Sequence, residues 1–462
     1  MNNMKKRDLE LYLHIPFCVK KCNYCDFFSA AGSREEQEAY VQAMIQEIRG
    51  YKDSLHSYEV KTVFLGGGTP SLLSERQAEE LFQSLYDSFT IQKDAEITME
   101  VNPGTVNLEK LKQYKAVGVN RLSLGLQSAR NEELQRLGRI HTYEDFLATW
   151  NFTEKAGFEN RNIDLMSALP GQTMESWEDT LEKVIALEPE HISAYSLILE
   201  EGTRFYHWYQ EGKFDSGEWK LPSEEEEYRM GEWTIERLAK AGMERYEISN
   251  YARTGQECRH NLGYWDRVEY LGIGAGASSL LRNRRFSHIR NRKTYIEAIH
   301  EKQPIETEEE LLSEESQMEE FMYLGLRKVN GISKEKFEPV IKSKFKISSE
   351  VLQSKTVYYP CEEVYEYKPR GLEETEYPEY PYPEVIGYVN NDDGTLTLKV
   401  QAVFPYRGVS KAYIHEVTVR DTKDGGIQYV GNRIIEPINN PEIRWHVPRL
   451  TRTEWEELYG DN

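Results

Sequence analysis

Sulfur is scarce in this chain. Only five of 462 residues are cysteine, and an odd number cannot all enter a closed disulfide framework. Long apolar runs are missing too: nothing approaches the roughly 18 residues of a membrane-spanning helix. An integral membrane protein is therefore not expected. The opening stretch, MNNMKKRDLELYLHIPF, has a basic start but no apolar segment and no small-residue cleavage site, so no signal peptide is expected. Positive charge is in deficit: 57 Lys and Arg against 78 Asp and Glu leave a formal net charge of −21. That argues against nucleic-acid binding as the main role, because such binding neutralises phosphates with clustered cations. Three of the five cysteines crowd into eight residues. The economical reading is a reducing cytoplasm and a metal or redox site.

The length suggests about three domains at roughly 150 residues each. Six short runs are apolar on both faces, as a buried parallel sheet requires: Leu11 to Ile15, Thr62 to Gly66, Ile97 to Val101, Arg121 to Leu126, Ile163 to Leu169 and Ile192 to Leu197. Amphipathic helix patterns separate them. Ser74 to Gln77 and Thr142 to Asp145 read as capping boxes that open two of these helices. Gly118, Gly157 and Gly242 follow helix ends and are suited to the left-handed turn that stops a helix. The pattern predicts an α/β fold, a partial parallel (β/α)6 barrel, with a doubly wound open sheet as the other arrangement. Residues 1–240 form this core and 241–341 an α/β and helical extension, with a charged helix near Glu308 to Lys328. Residues 342–384 read as an acidic Pro/Tyr-rich linker. Residues 385–462 read as a small β-rich module of two hairpins, turning at Asn-Asp-Asp-Gly and Lys-Asp-Gly-Gly.

The sharpest feature is HIPFCVKKCNYCDFF, which places Cys18, Cys22 and Cys25 in a C-x3-C-x2-C loop just past the first strand. Three thiolates on one loop suit three irons of a [4Fe–4S] cluster and leave the fourth iron open to an amine and a carboxylate. A zinc site completed by His14, and unliganded thiols, are the other readings. Zinc sites usually pair two C-x2-C units, and Cys258 and Cys361 stand alone. One strand later, Gly66, Gly67, Gly68, Thr69 and Pro70 offer backbone free of Cβ atoms. Glu100 ends the third strand, where a carboxylate among apolar residues needs a partner; a salt bridge to an arginine is the plain alternative.

The cysteine loop resembles the radical S-adenosylmethionine (SAM) superfamily. Its LYLHIPFC lead resembles the branch that holds oxygen-independent coproporphyrinogen III oxidases and the heme chaperones called HemW. The resemblance covers about Leu11 to Pro339. It implies a [4Fe–4S] cluster on Cys18, Cys22 and Cys25, with SAM on the open iron. A reduced cluster in that family cleaves SAM to methionine and a 5′-deoxyadenosyl radical. The resemblance also implies that Tyr12, Gly66, Gly67, Gly68, Thr69, Glu100, Gln127, Arg139 and Asp164 contact SAM. No catalytic residue on the substrate is assigned.

Three departures stand out. Ala168 replaces a glycine of the family's GLPGQT, and Ser278 replaces a histidine of its GAGAHS. Phe27 stands where the oxidases carry a further cysteine, as it does in the HemW branch. The implied function is a cytoplasmic chaperone that binds heme as cargo and delivers it to apo-hemoproteins, membrane-associated respiratory enzymes among them. The alternative is a coproporphyrinogen III oxidase in porphyrin biosynthesis. A homodimer stays open, as does the heme ligand, with His14, His141, His260, His288 and Cys258 as candidates. The family's helical C-terminal remainder is replaced by the linker and β module, which suggests a fusion or a frame change near Lys342.

Overall fold

The computed structural model describes residues 6–333, 357–359, 364–366, 382–391, 393–404, 409–421 and 427–434. The chain forms two units, Met1–Val329 and Asn330–Asn462. In the first, six strands lie side by side and parallel: β1 (Arg7–Ile15), β2 (Tyr58–Gly67), β3 (Ile91–Val101), β4 (Arg121–Gln127), β5 (Arg161–Ser167) and β6 (His191–Ser196). Each expected apolar run falls on one of them. The linking helices are α1 (Arg34–Gly50), α2 (Glu75–Ser88), α3 (Leu108–Ala116), α4 (Asn131–Leu137), α5 (Tyr143–Lys155) and α6 (Met174–Ile185). Both expected capping boxes form, at Ser74 with Gln77 and at Thr142 with Asp145. Gly118, Gly157 and Gly242 all have positive φ.

Strand periodicity explains how this frame positions a site. Along β1, Leu9, Leu11, Leu13 and Ile15 are fully buried in the main core, which also holds Tyr40, Met44 and Ile48 of α1. Alternate residues point the other way, so Glu10, Tyr12 and His14 share the opposite face.

The rest of this unit extends the sheet at both sides. After α7 (Arg204–Gln210) and α8 (Glu224–Lys240), β7 (Glu244–Arg245) and β8 (Asn250–Ala252) add antiparallel strands beside β6. After α9 (Arg259–Trp265), β9 (Tyr270–Ile273) pairs parallel with β1. An antiparallel meander of β10 (Ser278–Leu281), β11 (Arg284–His288) and β12 (Glu306–Leu311) follows, with α10 (Arg292–Glu301) before β12 and α11 (Glu314–Gly325) after it. The order β12-β11-β10-β9-β1-β2-β3-β4-β5-β6-β8-β7 is a twelve-stranded sheet with two free ends, an open part-barrel.

One expectation is corrected here. Glu308 to Leu311 belong to a strand, and the helix starts only at Glu314. The acidic run reads as helical in isolation. Arg284 pairs with Glu306 and Glu309, and Arg285 with Glu310, across the β11–β12 ladder.

The second unit has two antiparallel sheets. One joins β13 (Ile332–Ser333), β14 (Val357–Tyr359) and β15 (Val364–Glu366). The other is a meander of β16 (Tyr382–Asn390), β17 (Thr395–Phe404), β18 (Val409–Asp421) and β19 (Ile427–Ile434). β14 and β15 fall inside the span read as a linker. The remainder of that span before Tyr382, the Lys-Asp-Gly-Gly turn of the second hairpin and the chain end lie outside the described residues, as does Cys361. Among the described residues no helix is long and apolar enough to cross a membrane.

Candidate functional site

β1 ends at Ile15, and the loop that leaves it carries Cys18, Cys22 and Cys25, all half-exposed. Backbone bonds fix this loop: Cys18 N–H donates to Ala30 O at 3.1 Å, Cys25 N–H to Cys22 O at 3.4 Å, and Asn23 N–H to Leu137 O at 2.9 Å. The thiols are close enough to feel one another. Cys25 is pushed up by burial first, against a backbone bond that lowers it, and then by the neighbouring Cys22 and Cys18. Thr69 Oγ1 lies 3.5 Å from Cys18 Sγ, and Arg139 Nη1 lies 3.8 Å from Cys22 Sγ. A hydroxyl and a guanidinium beside sulfur stabilise thiolate.

The donor set fits a cube held at three corners. Among the described residues no three His, Cys, Asp or Glu side chains, the three cysteines included, are close enough to share one ion. His14 is not available to complete a zinc site. Its Nε2 meets Phe28 O at 2.8 Å and its Nδ1 meets the Tyr12 hydroxyl at 3.1 Å.

The glycine run at the end of β2 is a cradle in the steric sense. A Cβ on Gly66 would stand 3.0 Å from Tyr12 and 3.1 Å from Glu100 Oε1. On Gly67, which has φ +112°, it would stand 2.7 Å from the His14 ring. On Gly68 it would stand 2.6 Å from Phe17 O. Glu100 is half-buried and, among the described residues, has no ion pair; the arginine bridge is not there. Its carboxyl is pushed up to about 8, chiefly by burial and then by Asp164, while the Gly67 N–H opposes the shift. A cation placed beside Glu100 and Asp164 would favour both carboxylates.

Asp164 is held by Ser123 Oγ at 3.0 Å and Asn162 Nδ2 at 2.7 Å. Arg139 is anchored by Asn102 Oδ1 at 2.8 Å and Gly125 O at 2.6 Å, and its buried Nε has no partner. Gln127 is held at φ +72°, a conformation that non-glycine residues adopt rarely and that clusters at working sites. Tyr12 and Glu100 thus stand against Gly66, Arg139 and Gln127 against Gly125, Thr69 against Cys18, and Asp164 within electrostatic reach of Glu100.

Sequence reasoning missed Asn102, which donates to Thr69 Oγ1 at 2.8 Å and accepts from Arg139. Its position two residues after Glu100, before a proline, was the available signal. It also missed a cavity of about 540 Å3 beside the cysteine loop. Phe27, Phe28, Tyr264, Trp265, Tyr270 and Tyr323 line it, together with Ser278. Two of the three family departures therefore meet in one place.

The candidate heme ligands are largely consumed by the fold. His260 is buried, with Nδ1 at 2.6 Å from Thr62 Oγ1 and Nε2 at 3.0 Å from the Tyr264 hydroxyl. Cys258 is buried against Glu96, and His288 is buried with Nδ1 at 3.2 Å from Gly274 O and Nε2 unpartnered. His141 is buried, with Nε2 unpartnered, and lines a small recess with Cys22. Of these five only His14 borders the large cavity.

Comparisons with known proteins agree with this geometry. Residues 12–184 match the radical SAM superfamily, and residues 304–449 match DUF6070, a family of unknown function. The chain is 39% identical to the heme chaperone HemW of Lactococcus lactis, over 77% of this chain and 89% of that protein. It is 39% identical to HemW of Bacillus subtilis, over 71% and 85% respectively. The solved structure of the coproporphyrinogen III oxidase HemN from Escherichia coli, a radical SAM enzyme, superposes with a TM-score of 0.64 at 25% identity, covering 74% of this chain and 80% of that one. A radical SAM domain implies a [4Fe–4S] cluster and SAM. With a cysteine loop, a glycine cradle and relatives of this closeness, the chain belongs to the HemW family of the radical SAM superfamily.

Proposed function

We propose that this chain is a heme chaperone. It binds heme, holds a [4Fe–4S] cluster on Cys18, Cys22 and Cys25, and passes heme to apo-hemoproteins. The observation that carries the reading is the likeness to HemW proteins over most of their length. Phe27 in place of the oxidases' further cysteine supports it: the ring is 65% exposed and lines the large cavity, so no fourth thiol stands there.

When bound, the cluster supplies one electron to the SAM sulfonium. The chain's own residues bind and orient. The backbone of Gly66, Gly67 and Gly68 accepts an ammonium group beside Glu100, whose carboxylate such a cation favours. Asp164, fixed by Ser123 and Asn162, presents an acceptor for ribose hydroxyls. Arg139, fixed by Asn102 and Gly125, offers a guanidinium for a carboxylate and steadies Cys22.

The test uses purified, anaerobically reconstituted protein. Stoichiometric heme uptake and transfer to an apo-hemoprotein, without protoporphyrinogen formation from coproporphyrinogen III, is expected. Robust decarboxylation would overturn the chaperone reading in favour of the oxidase.

A further inference from the structure

The heme-carrier reading leaves open where the cargo sits and what holds its iron. The cavity of about 540 Å3 beside the cysteine loop has walls suited to a flat apolar disc: Phe27, Phe28, Tyr264, Tyr270 and Tyr323. Aromatic faces and edges pack against a π-system with a preference beyond plain burial. A heme also carries two carboxylates, and the cavity mouth has a cation to meet them. Arg267 and Arg285 are both held by Glu320. Arg290 is exposed and makes no ion pair among the described residues; its guanidinium lies 5.8 Å from the centre of the Phe28 ring. Arg290 also borders a second cavity of about 310 Å3, with Arg292 and Lys293. An arginine fork suits a carboxylate in geometry as well as charge.

Imidazole is poorly supplied here. Position 278 is serine, and His14, the one histidine lining the cavity, has both ring nitrogens engaged. The remaining ligands of the right chemistry are phenols, and tyrosinate is an established axial ligand of heme iron. The Tyr12 hydroxyl is taken by His14 and the Tyr264 hydroxyl by His260, and Tyr323 is 56% exposed. Tyr270 differs in its partner: its oxygen accepts from the Arg285 guanidinium, with Arg267 also near, and both arginines line the same cavity. Burial first, and then Glu320, push the phenol up, while the two guanidiniums oppose that shift and favour the phenolate that iron binding would make. Its ring is braced edge-on against Tyr264, with centroids 4.9 Å apart.

We propose that this cavity binds iron tetrapyrrole, with the Tyr270 oxygen on the iron and Arg290 on a carboxylate. Coordination replaces the phenol O–H bond by an O–Fe bond and releases the proton to water. The proposal rests on the heme-carrier reading, and its test separates the two.

Full-length, cluster-reconstituted protein is titrated with hemin and followed by absorption and resonance Raman spectroscopy. Wild type is expected to show a phenolate-to-iron charge-transfer band and tyrosinate vibrations. Tyr270→Phe, which keeps the ring against Tyr264, should abolish both signals and weaken hemin binding about tenfold, while iron-free protoporphyrin binds both proteins alike. Arg290→Glu should weaken hemin and iron-free protoporphyrin together, by about fivefold or more, and keep the phenolate band; Arg290→Lys should restore most of the loss. Circular dichroism and cluster iron content report folding of each variant. If Tyr270→Phe does not fold, the wild-type spectrum decides alone, since an imidazole or thiolate signature overturns the proposal. Hemin binding with unchanged spectra in Tyr270→Phe overturns this site only. A wild type that binds no hemin overturns the carrier reading as well.

Discussion

The starts and the ends of the barrel strands use the same residue types to opposite effect. Near the starts, polar groups in a run satisfy one another, with Arg121 Nε and Glu10 Oε2 the buried atoms left without a hydrogen-bond partner there among the described residues. Asn162 Oδ1 meets His191 Nδ1 at 2.7 Å, His191 Nε2 meets the Tyr246 hydroxyl at 2.8 Å, and that hydroxyl accepts from Cys258 N–H at 3.1 Å. Cys258 Sγ reaches Glu96, which also accepts the backbone N–H groups of Arg259 and His260, and His260 continues to Thr62 and Tyr264. At the strand ends, Cys18, Cys22 and Cys25 are half-exposed, Glu100 has no counter-ion among the described residues, and Arg139 Nε is unpartnered. A cysteine therefore marks function here by what it still has to give. Buried polar groups are ordinarily hydrogen-bonded, and those left incomplete need an explanation.

The largest effect should come from the two classes of cysteine. Alanine at Cys18, Cys22 and Cys25 should abolish cluster iron and sulfide, whereas Cys258→Ala should leave both unchanged. Iron loss in Cys258→Ala would break the distinction. Next, His260→Ala should destabilise the fold by about 2–4 kcal/mol, because it strips partners from Thr62 and Tyr264 in the interior. Glu100→Gln should instead leave stability near wild type and weaken SAM binding about tenfold, as loss of a charged partner does. Denaturant titration and calorimetry with SAM measure the pair; a stability loss in Glu100→Gln equal to that of His260→Ala would erase the contrast.

Acidity offers a third, smaller effect. Burial is the main cause that pushes Glu10 up to about 9 and Glu47 and Glu100 up to about 8, from an ordinary 4.5. The folded state thus keeps protons that the unfolded chain has released. This stabilisation is complete below the ordinary value and is lost as pH rises through 8 to 9. Buried histidines act in the opposite sense, with His141 and His260 held down near 3 by burial, but only below their ordinary value of 6.5. Between pH 7 and 9 the carboxyls decide, and the melting temperature of SAM-free protein should fall. Glu47→Gln should flatten that slope, and saturating SAM should remove the share due to Glu100. A flat wild-type profile would contradict the assignment.

The smallest effect concerns Ala168, which stands where the family has glycine. It is held at φ +55°, where a Cβ costs about 1–2 kcal/mol. Ala168→Gly should therefore stabilise by about 0.5–1 kcal/mol, after the entropy glycine adds to the unfolded chain. A loss of stability would show that the alanine methyl packs usefully.

Much of the frame was legible because its signals are local. Strands buried on both faces read as apolar runs, and Ser74, Thr142 and Gly118 announce helix boundaries within four residues. The cysteine loop and the glycine run were legible for the same reason. The cavity was not, because Phe27 lies more than 200 residues before Tyr264, Tyr270 and Tyr323 and the pairing of β9 with β1 brings the two regions together. Nor was the strand at Glu306–Leu311, where arginines across the ladder override an acidic helical pattern. His260 shows the converse: a conspicuous motif residue that the fold has already satisfied.

The account turns on the cysteine loop holding an iron–sulfur cube with one corner free for SAM. Electron paramagnetic resonance of anaerobically reduced protein, with and without SAM, tests this most directly. A [4Fe–4S]+ signal that changes shape when SAM is added, and that is absent in the triple cysteine variant, is the predicted result. Zinc in place of iron, or a cluster signal indifferent to SAM, would contradict it.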